Sequence, residues 1–155
     1  MNEQHLQDAI RKGGLKVTPQ RLVLLREIMA CGHLGVDDLF SRAQTHFPSI
    51  SLATIYKNLH TLSDNGILRE IPLPGQRSVY ELAHEEHIHY VCMNCGTVHD
   101  LPADMDAIAD AVREQTGADF QTIRITVGGS CPDGCSEQND HVHHGVAHQD
   151  SPVLS

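Results

Sequence analysis

An α+β fold in two modules is what this 155-residue sequence predicts, and three observations carry the prediction. Helical apolar spacing dominates up to Gly66, and short strand-like runs follow it. The third observation is a change of charge and residue type near Ala83. Residues 1–83 hold 9 Lys/Arg against 8 Asp/Glu, whereas residues 84–155 hold Arg113 and Arg124 against 12 acids. Eight of the twelve histidines and four of the five cysteines also lie in the later part. A single domain with a charge gradient fits composition alone. The asymmetry points instead to two modules with different partners, a polyanion for the first and cations for the second.

The elements follow in order. Residues 5–13 form an amphipathic segment ending at Gly13-Gly14. Thr18-Pro19 starts a helix, with a hydroxyl at the cap and proline in the first turn, and Leu22, Leu25, Ile28 and Met29 recur behind it. A third helix carries Val36, Leu39, Phe40, Ala43 and Phe47 on one stripe and closes before Pro48. Ser51 caps a fourth, whose stripe is Leu52, Ile55, Leu59 and Leu62, and Gly66 ends it. Ile67–Ile71 and Ser78–Leu82 flank the turn Pro72-Leu73-Pro74-Gly75 and predict a hairpin. Helices followed by such a hairpin are the winged helix-turn-helix order, in which the helix before the hairpin enters the major groove. In the later part, Asp104 to Thr116 is helical and stops at Gly117, and Phe120 to Val127 is a strand. Residues 136–155, with four histidines, read as a polar, disordered tail.

On the fourth helix, Ser51, Thr54, Tyr56, Lys57, Asn58 and His60 fall off the core stripe and offer groups for phosphates and base edges. Lys16, Thr18 and Arg21 add phosphate contacts at the second helix. A solvated helix face has the same pattern.

The chemistry sits in the second module. Cys92-Met93-Asn94-Cys95-Gly96 is a knuckle whose glycine permits the tight turn that aims two thiolates at one metal. Cys131 and Cys135 form a second pair, and four thiolates are a closed, structural zinc set. Cys31 stands apart and reads as a buried free thiol. His87 and His89 share one face of an extended strand, Glu81 lies at the module boundary, and His99 and Asp100 fall on the returning strand. Imidazoles with carboxylates suit Fe(II), Mn(II) or Zn(II).

Several classes are excluded. No apolar run approaches the ~20 residues of a membrane span. The polar start Met1-Asn2-Glu3-Gln4-His5 does not read as a secretion signal, so a cytoplasmic location without disulfides is expected. An enzyme is not expected, because no general base accompanies an open metal position. A metal store or chaperone would use the His/Cys content, but has no need of the Tyr56/Lys57 face.

Three strings in order, Gly14-Leu15-Lys16-Val17-Thr18-Pro19-Gln20-Arg21, Ser51-Leu52-Ala53-Thr54-Ile55-Tyr56-Lys57-Asn58-Leu59 and His87-Ile88-His89-Tyr90-Val91-Cys92-Met93-Asn94-Cys95-Gly96, resemble the ferric uptake regulator (Fur) family of metal-dependent repressors. The likeness runs from about residue 7 to Cys135. It implies a winged-helix DNA-binding domain (1–83), a metal-binding dimerisation domain (84–135) and a homodimer on double-stranded operator DNA. By position it implies a regulatory Fe2+ or Mn2+ site of His33, Glu81, His87, His89 and Asp100. It also implies structural Zn2+ on Cys92, Cys95, Cys131 and Cys135, and DNA contacts by Lys16, Tyr56 and Lys57. Aspartate at Asp100 resembles the peroxide-sensing, PerR-type branch; the alternative is an iron-responsive or other metal-uptake repressor. Glu81 and the C-x3-C spacing of Cys131 and Cys135 depart from common patterns. A further His/carboxylate site found in many members is expected to be missing, because Ile88 and Ile123 cannot ligate and stand with Glu86 at its usual positions.

Overall fold

The computed structural model describes residues 2–73, 75–83, 86–131 and 134–135. The predicted tail at 136–155 lies outside the described residues. Two compact units emerge: residues up to Pro72 with Arg77–Ala83, and Leu73–Gln76 with the described residues from Glu86 onward.

In the first unit, local chemistry starts each helix. α1 (Glu3–Lys12) begins earlier than its apolar spacing suggests, because Asn2 and His5 cap each other reciprocally. The Asn2 side chain accepts from the His5 N–H at 3.1 Å, and the His5 ring accepts from the Asn2 N–H at 3.3 Å. α2 (Pro19–Cys31) starts as predicted, with Thr18 accepting from the Arg21 N–H. α3 (Val36–His46) follows β1 (Leu34–Gly35), a two-residue strand that no periodicity announces. α4 (Leu52–Asp64) is capped by the Ser51 side chain accepting from the Thr54 N–H. It ends at Asn65-Gly66, where Gly66 has φ +68° and Ile67 N–H returns to the Leu62 carbonyl.

The core of this unit gathers Leu6 and Ile10 of α1, Leu24, Leu25 and Ile28 of α2, Leu39 and Ala43 of α3, and Ile55, Leu59 and Leu62 of α4. Each fully buried leucine or isoleucine contributes about 1.5–3 kcal/mol relative to exposure. Leu52 is a correction: predicted on the buried stripe, it is 39% exposed, because the first turn of α4 extends past the packed core. β2 (Leu68–Ile71) and β3 (Val79–Leu82) form the predicted hairpin. The sheet order is β1-β3-β2, with both pairings antiparallel. Helices plus this winged sheet make the first unit a winged helix-turn-helix.

The second unit is a small α/β module with sheet order β5-β4-β6. β4 (Ile88–Cys92) pairs antiparallel with β5 (Val98–Leu101) and parallel with β6 (Thr126–Gly129). A parallel neighbour requires a crossover, and α5 (Met105–Thr116) supplies it, capped by Asp104 and stopped by left-handed Gly117. The predicted strand at Phe120–Val127 is corrected: the strand is Thr126–Gly129. β4 accepts its parallel partner only from His89 to Cys92, paired with Thr126 to Gly129. Residues 120–124 precede that ladder, whose first hydrogen bond runs from the His89 N–H to the Ile125 carbonyl at 3.0 Å. No side chain of α5 is buried, and Leu101, Val112 and Val127 are exposed. The described residues of this unit therefore leave apolar surface uncovered.

Candidate metal centres and helix face

Sulfur chemistry comes first. After β4 the chain turns sharply at Gly96, which has φ +75°. Gly96 N–H returns to the Cys92 carbonyl at 2.8 Å, and Cys92 N–H donates to the Thr97 carbonyl at 2.9 Å. The turn folds Cys95 back beside Cys92. The parallel β4–β6 register sets Cys92 opposite Gly129, so Cys131 arrives at the same end of the sheet. Tyr90 hydroxyl donates to the Ser130 carbonyl at 2.7 Å and anchors that approach. Cys92 Sγ lies 3.5 Å from Cys135 Sγ, and Cys95 Sγ lies 3.4 Å from Cys131 Sγ. All four sulfurs lie within 4.8 Å of one another.

Four thiols this close cannot all ionise unaided. The backbone N–H of Cys95 holds the Cys92 thiol down at about 6. The Thr97 hydroxyl lowers Cys95 in the same way. Hydrogen bonding to Cys92 and Cys95 pushes Cys131 up instead. Hydrogen bonding therefore favours the thiolate at Cys92 and Cys95 and the thiol at Cys131, in a site where all four sulfurs crowd together. A soft divalent cation that replaces the thiol protons fits this donor set.

Nitrogen and oxygen donors lie in both units, and each group is built by sheet register. In the first unit, β1 pairs Leu34 with Tyr80 and Gly35 with Val79. Continuing that antiparallel register by one residue sets His33 opposite Glu81, and His33 Nε2 lies 3.3 Å from Glu81 Oε2. Both are buried, Glu81 at 1% exposure. On the other side of β3, Arg69 is the direct partner of Glu81, and its guanidinium meets Glu81 Oε1 at 3.3 Å. In the second unit, His89 is the direct partner of Asp100 across β4 and β5. His87, two residues earlier, shares its face, with ring centroids 4.5 Å apart. His87 Nε2 is 3.2 Å and His89 Nε2 3.8 Å from Asp100 Oδ1. Two imidazoles and a carboxylate at such distances suit a borderline or hard divalent ion such as iron, manganese or zinc.

The DNA-facing residues predicted from sequence separate into two kinds. Tyr56 and Lys57 stand exposed on α4, and Lys16 is exposed ahead of α2. Thr18, Ser51 and Thr54 serve the helix starts: Thr18 and Ser51 cap, and the Ser51 and Thr54 hydroxyls bond at 2.8 Å. Arg21 is half-buried and donates to the Lys16 carbonyl at 2.6 Å, which fixes the loop that carries Lys16. Cys31 is buried as expected, and burial raises its thiol.

Sequence reasoning missed Arg69, Thr97 and Tyr90. Only Thr97 had a local signal, since it follows the knuckle directly. Arg69 is visible only through strand register.

Comparison with known proteins agrees with this architecture. The family model for the ferric uptake regulator family matches residues 12–128. A peroxide-responsive repressor PerR from Staphylococcus saprophyticus is 31% identical over 136 residues, covering 84% of this chain and 92% of the relative. Among solved structures, the Campylobacter jejuni peroxide stress regulator is 31% identical with a TM-score of 0.68, covering 87% of this chain and 97% of that one. The Vibrio cholerae ferric uptake regulator (Fur) is 28% identical with a TM-score of 0.67, covering 81% and 98%. With the family match spanning three quarters of its length, the chain belongs to the ferric uptake regulator family.

Proposed function

We propose that this protein is a cytoplasmic, metal-dependent transcriptional repressor that binds double-stranded operator DNA as a homodimer and senses peroxide through iron. The observation that carries the reading is the coexistence of two donor sets of different hardness with a winged helix. The sulfur set Cys92, Cys95, Cys131 and Cys135 would hold zinc with every coordination position filled, a structural role. His33, Glu81, His87, His89 and Asp100 would hold iron or manganese, drawing ligands from both units so that one ion restrains both. A bound iron(II) ion supplies the reductive chemistry with peroxide that side chains alone lack. The protein's part is to orient the imidazoles: register fixes His89 against Asp100, and the alternation of β4 sets His87 beside it.

Dimerisation is supported by the apolar surface of the second unit around Leu101, Val112 and Val127, which a second copy would cover. DNA binding would fall to Tyr56 and Lys57 on α4, with Lys16 on the backbone. Thr18, Arg21, Ser51 and Thr54 would act through the helix N-termini they organise, whose N–H groups favour phosphate. The net charge of −9 is no obstacle, since local potential rather than net charge steers a polyanion.

Lys16→Ala is expected to weaken operator binding and reduce the salt slope by ~1, the loss of one phosphate contact. Binding titrations across a salt series check this; an unchanged slope moves Lys16 off the backbone.

The whole reading is tested by operator gel shifts with the iron-loaded and manganese-loaded protein, before and after peroxide. Iron-loaded protein is expected to release DNA, with one oxygen added to His33 or His87 by mass spectrometry. The manganese form is expected to stay bound. Equal resistance of both forms makes this a repressor responsive to metal supply alone. No metal-dependent shift in either form defeats the repressor reading.

A further inference from the structure

We propose that Arg69 holds the regulatory site in its metal-free state, pairing with Glu81 until a divalent cation takes over, and so sets the metal concentration at which the site fills. This rests on the regulatory-site reading given above. Glu81 is 1% exposed, and a buried carboxylate is costly unless charges or hydrogen bonds compensate it. Its two oxygens are divided: Oε2 faces His33 Nε2 and Oε1 faces the Arg69 guanidinium, each at 3.3 Å.

The contact is enforced by the fold. Arg69 and Glu81 are directly opposed in the β2–β3 ladder, between pairs Leu68–Leu82 and Glu70–Tyr80. Their backbones cannot separate without breaking the hairpin, so the two side chains start from directly opposed positions. Arg69 is moreover 81% shielded from solvent along its side chain, so little water screens the pair.

The energetic consequence has a definite sign. Without metal, Arg69 and Glu81 attract. With a divalent ion on Glu81, the carboxylate is already neutralised, and the fixed guanidinium repels the new cation. Arg69 therefore stabilises the metal-free state more than the loaded one. It acts as a positioning residue that keeps the Glu81 carboxylate in place while raising the threshold for metal. Arginine suits this role, because its charge persists at every physiological pH.

The test is Mn(II) binding by calorimetry on the full-length, zinc-replete protein, comparing the parent with Arg69→Gln and Arg69→Lys. Arg69→Gln is expected to bind Mn(II) about tenfold more tightly, from removal of one like charge beside the ion in a partly shielded site. Arg69→Lys keeps the charge and is expected to stay near the parent. The metal-free Gln variant should also melt lower, and Mn(II) should restore more of its melting temperature than it adds to the parent. A role in hairpin stability alone would lower melting without tightening Mn(II).

Equal or weaker binding by Arg69→Gln, with normal binding by the parent, overturns the Arg69 proposal and leaves the metal site standing. Absence of Mn(II) binding by the parent removes both. If the Gln variant does not fold, the parent itself decides. Its Arg69 Nε–H resonance should shift when diamagnetic Zn(II) fills the site, and an unmoved resonance overturns the proposal.

Discussion

Replacing Cys95 with serine is expected to abolish the proposed zinc binding and, with it, the folded second unit and the dimer. The four sulfurs come from two segments far apart in sequence, and they lie within 4.8 Å of one another. Beyond the β4–β6 ladder and the Tyr90–Ser130 hydrogen bond, the described residues of the second unit give its Cys131 segment little apolar support, since few of them are buried and α5 buries none. Structural zinc sites contribute on the order of 10–16 kcal/mol of apparent binding free energy in peptides, more than a small domain's whole stability. Losing one thiolate therefore threatens the fold as well as the metal. Serine is an informative replacement, because its hydroxyl can keep the contact that Cys95 Sγ makes with Thr97 Oγ1 at 3.1 Å. Metal analysis and sedimentation of the Cys95→Ser variant check the expectation. A stable, dimeric, zinc-free variant sinks it.

The second large effect is expected from His33→Ala: loss of metal-stimulated DNA binding with zinc and dimer intact. His33 is the residue that the first unit contributes beyond Glu81, and it is not one of the four sulfur ligands. A full reversal from 1:99 to 99:1 between weakly and strongly DNA-binding forms needs about 5.5 kcal/mol of differential metal affinity. One ligand lost from the unit that carries α4 takes away much of that difference. The first unit should survive, because Glu81 keeps its Arg69 partner and the core does not include His33. Fluorescence anisotropy of an operator duplex, with and without Mn(II), reads the effect. Metal-stimulated binding equal to the parent's would place the restraint elsewhere.

These two experiments separate the sites. Cys95→Ser acts on assembly and His33→Ala on the switch. His33→Ala decides the matter. Cys95→Ser is expected to lose both readouts, because the second unit it unfolds also carries His87, His89 and Asp100. Loss of zinc or of the dimer from His33→Ala as well would argue against two independent metal centres.

Much of this molecule was legible in its sequence because the signals are local. Thr18-Pro19 and Ser51 mark helix starts through hydrogen bonds that span three residues. Gly66, Gly96 and Gly117 all occupy positive φ where the chain must turn. The Cys92–Cys95 knuckle and the His87–His89 alternation need only the geometry of a turn and a strand. The winged-helix order and the Cys92–Cys95 knuckle followed from such short-range rules.

What the sequence could not determine was register. β1 is two residues long, too short for any periodicity, yet its pairing with β3 is what brings His33 to Glu81. Arg69 looks like any strand arginine until β2 sets it opposite Glu81. Residues 120–127 read as one strand, but the residues paired with β4 are Thr126 to Gly129. Leu52 matched its stripe and still lies 39% exposed, because helical phase says which side a residue faces and not how far the core extends. Capping and turning energies are decided by neighbours along the chain and can be read residue by residue. Strand pairing and core reach are decided by segments dozens of residues apart, so only the tertiary structure could place Arg69, and with it the charge that waits on Glu81.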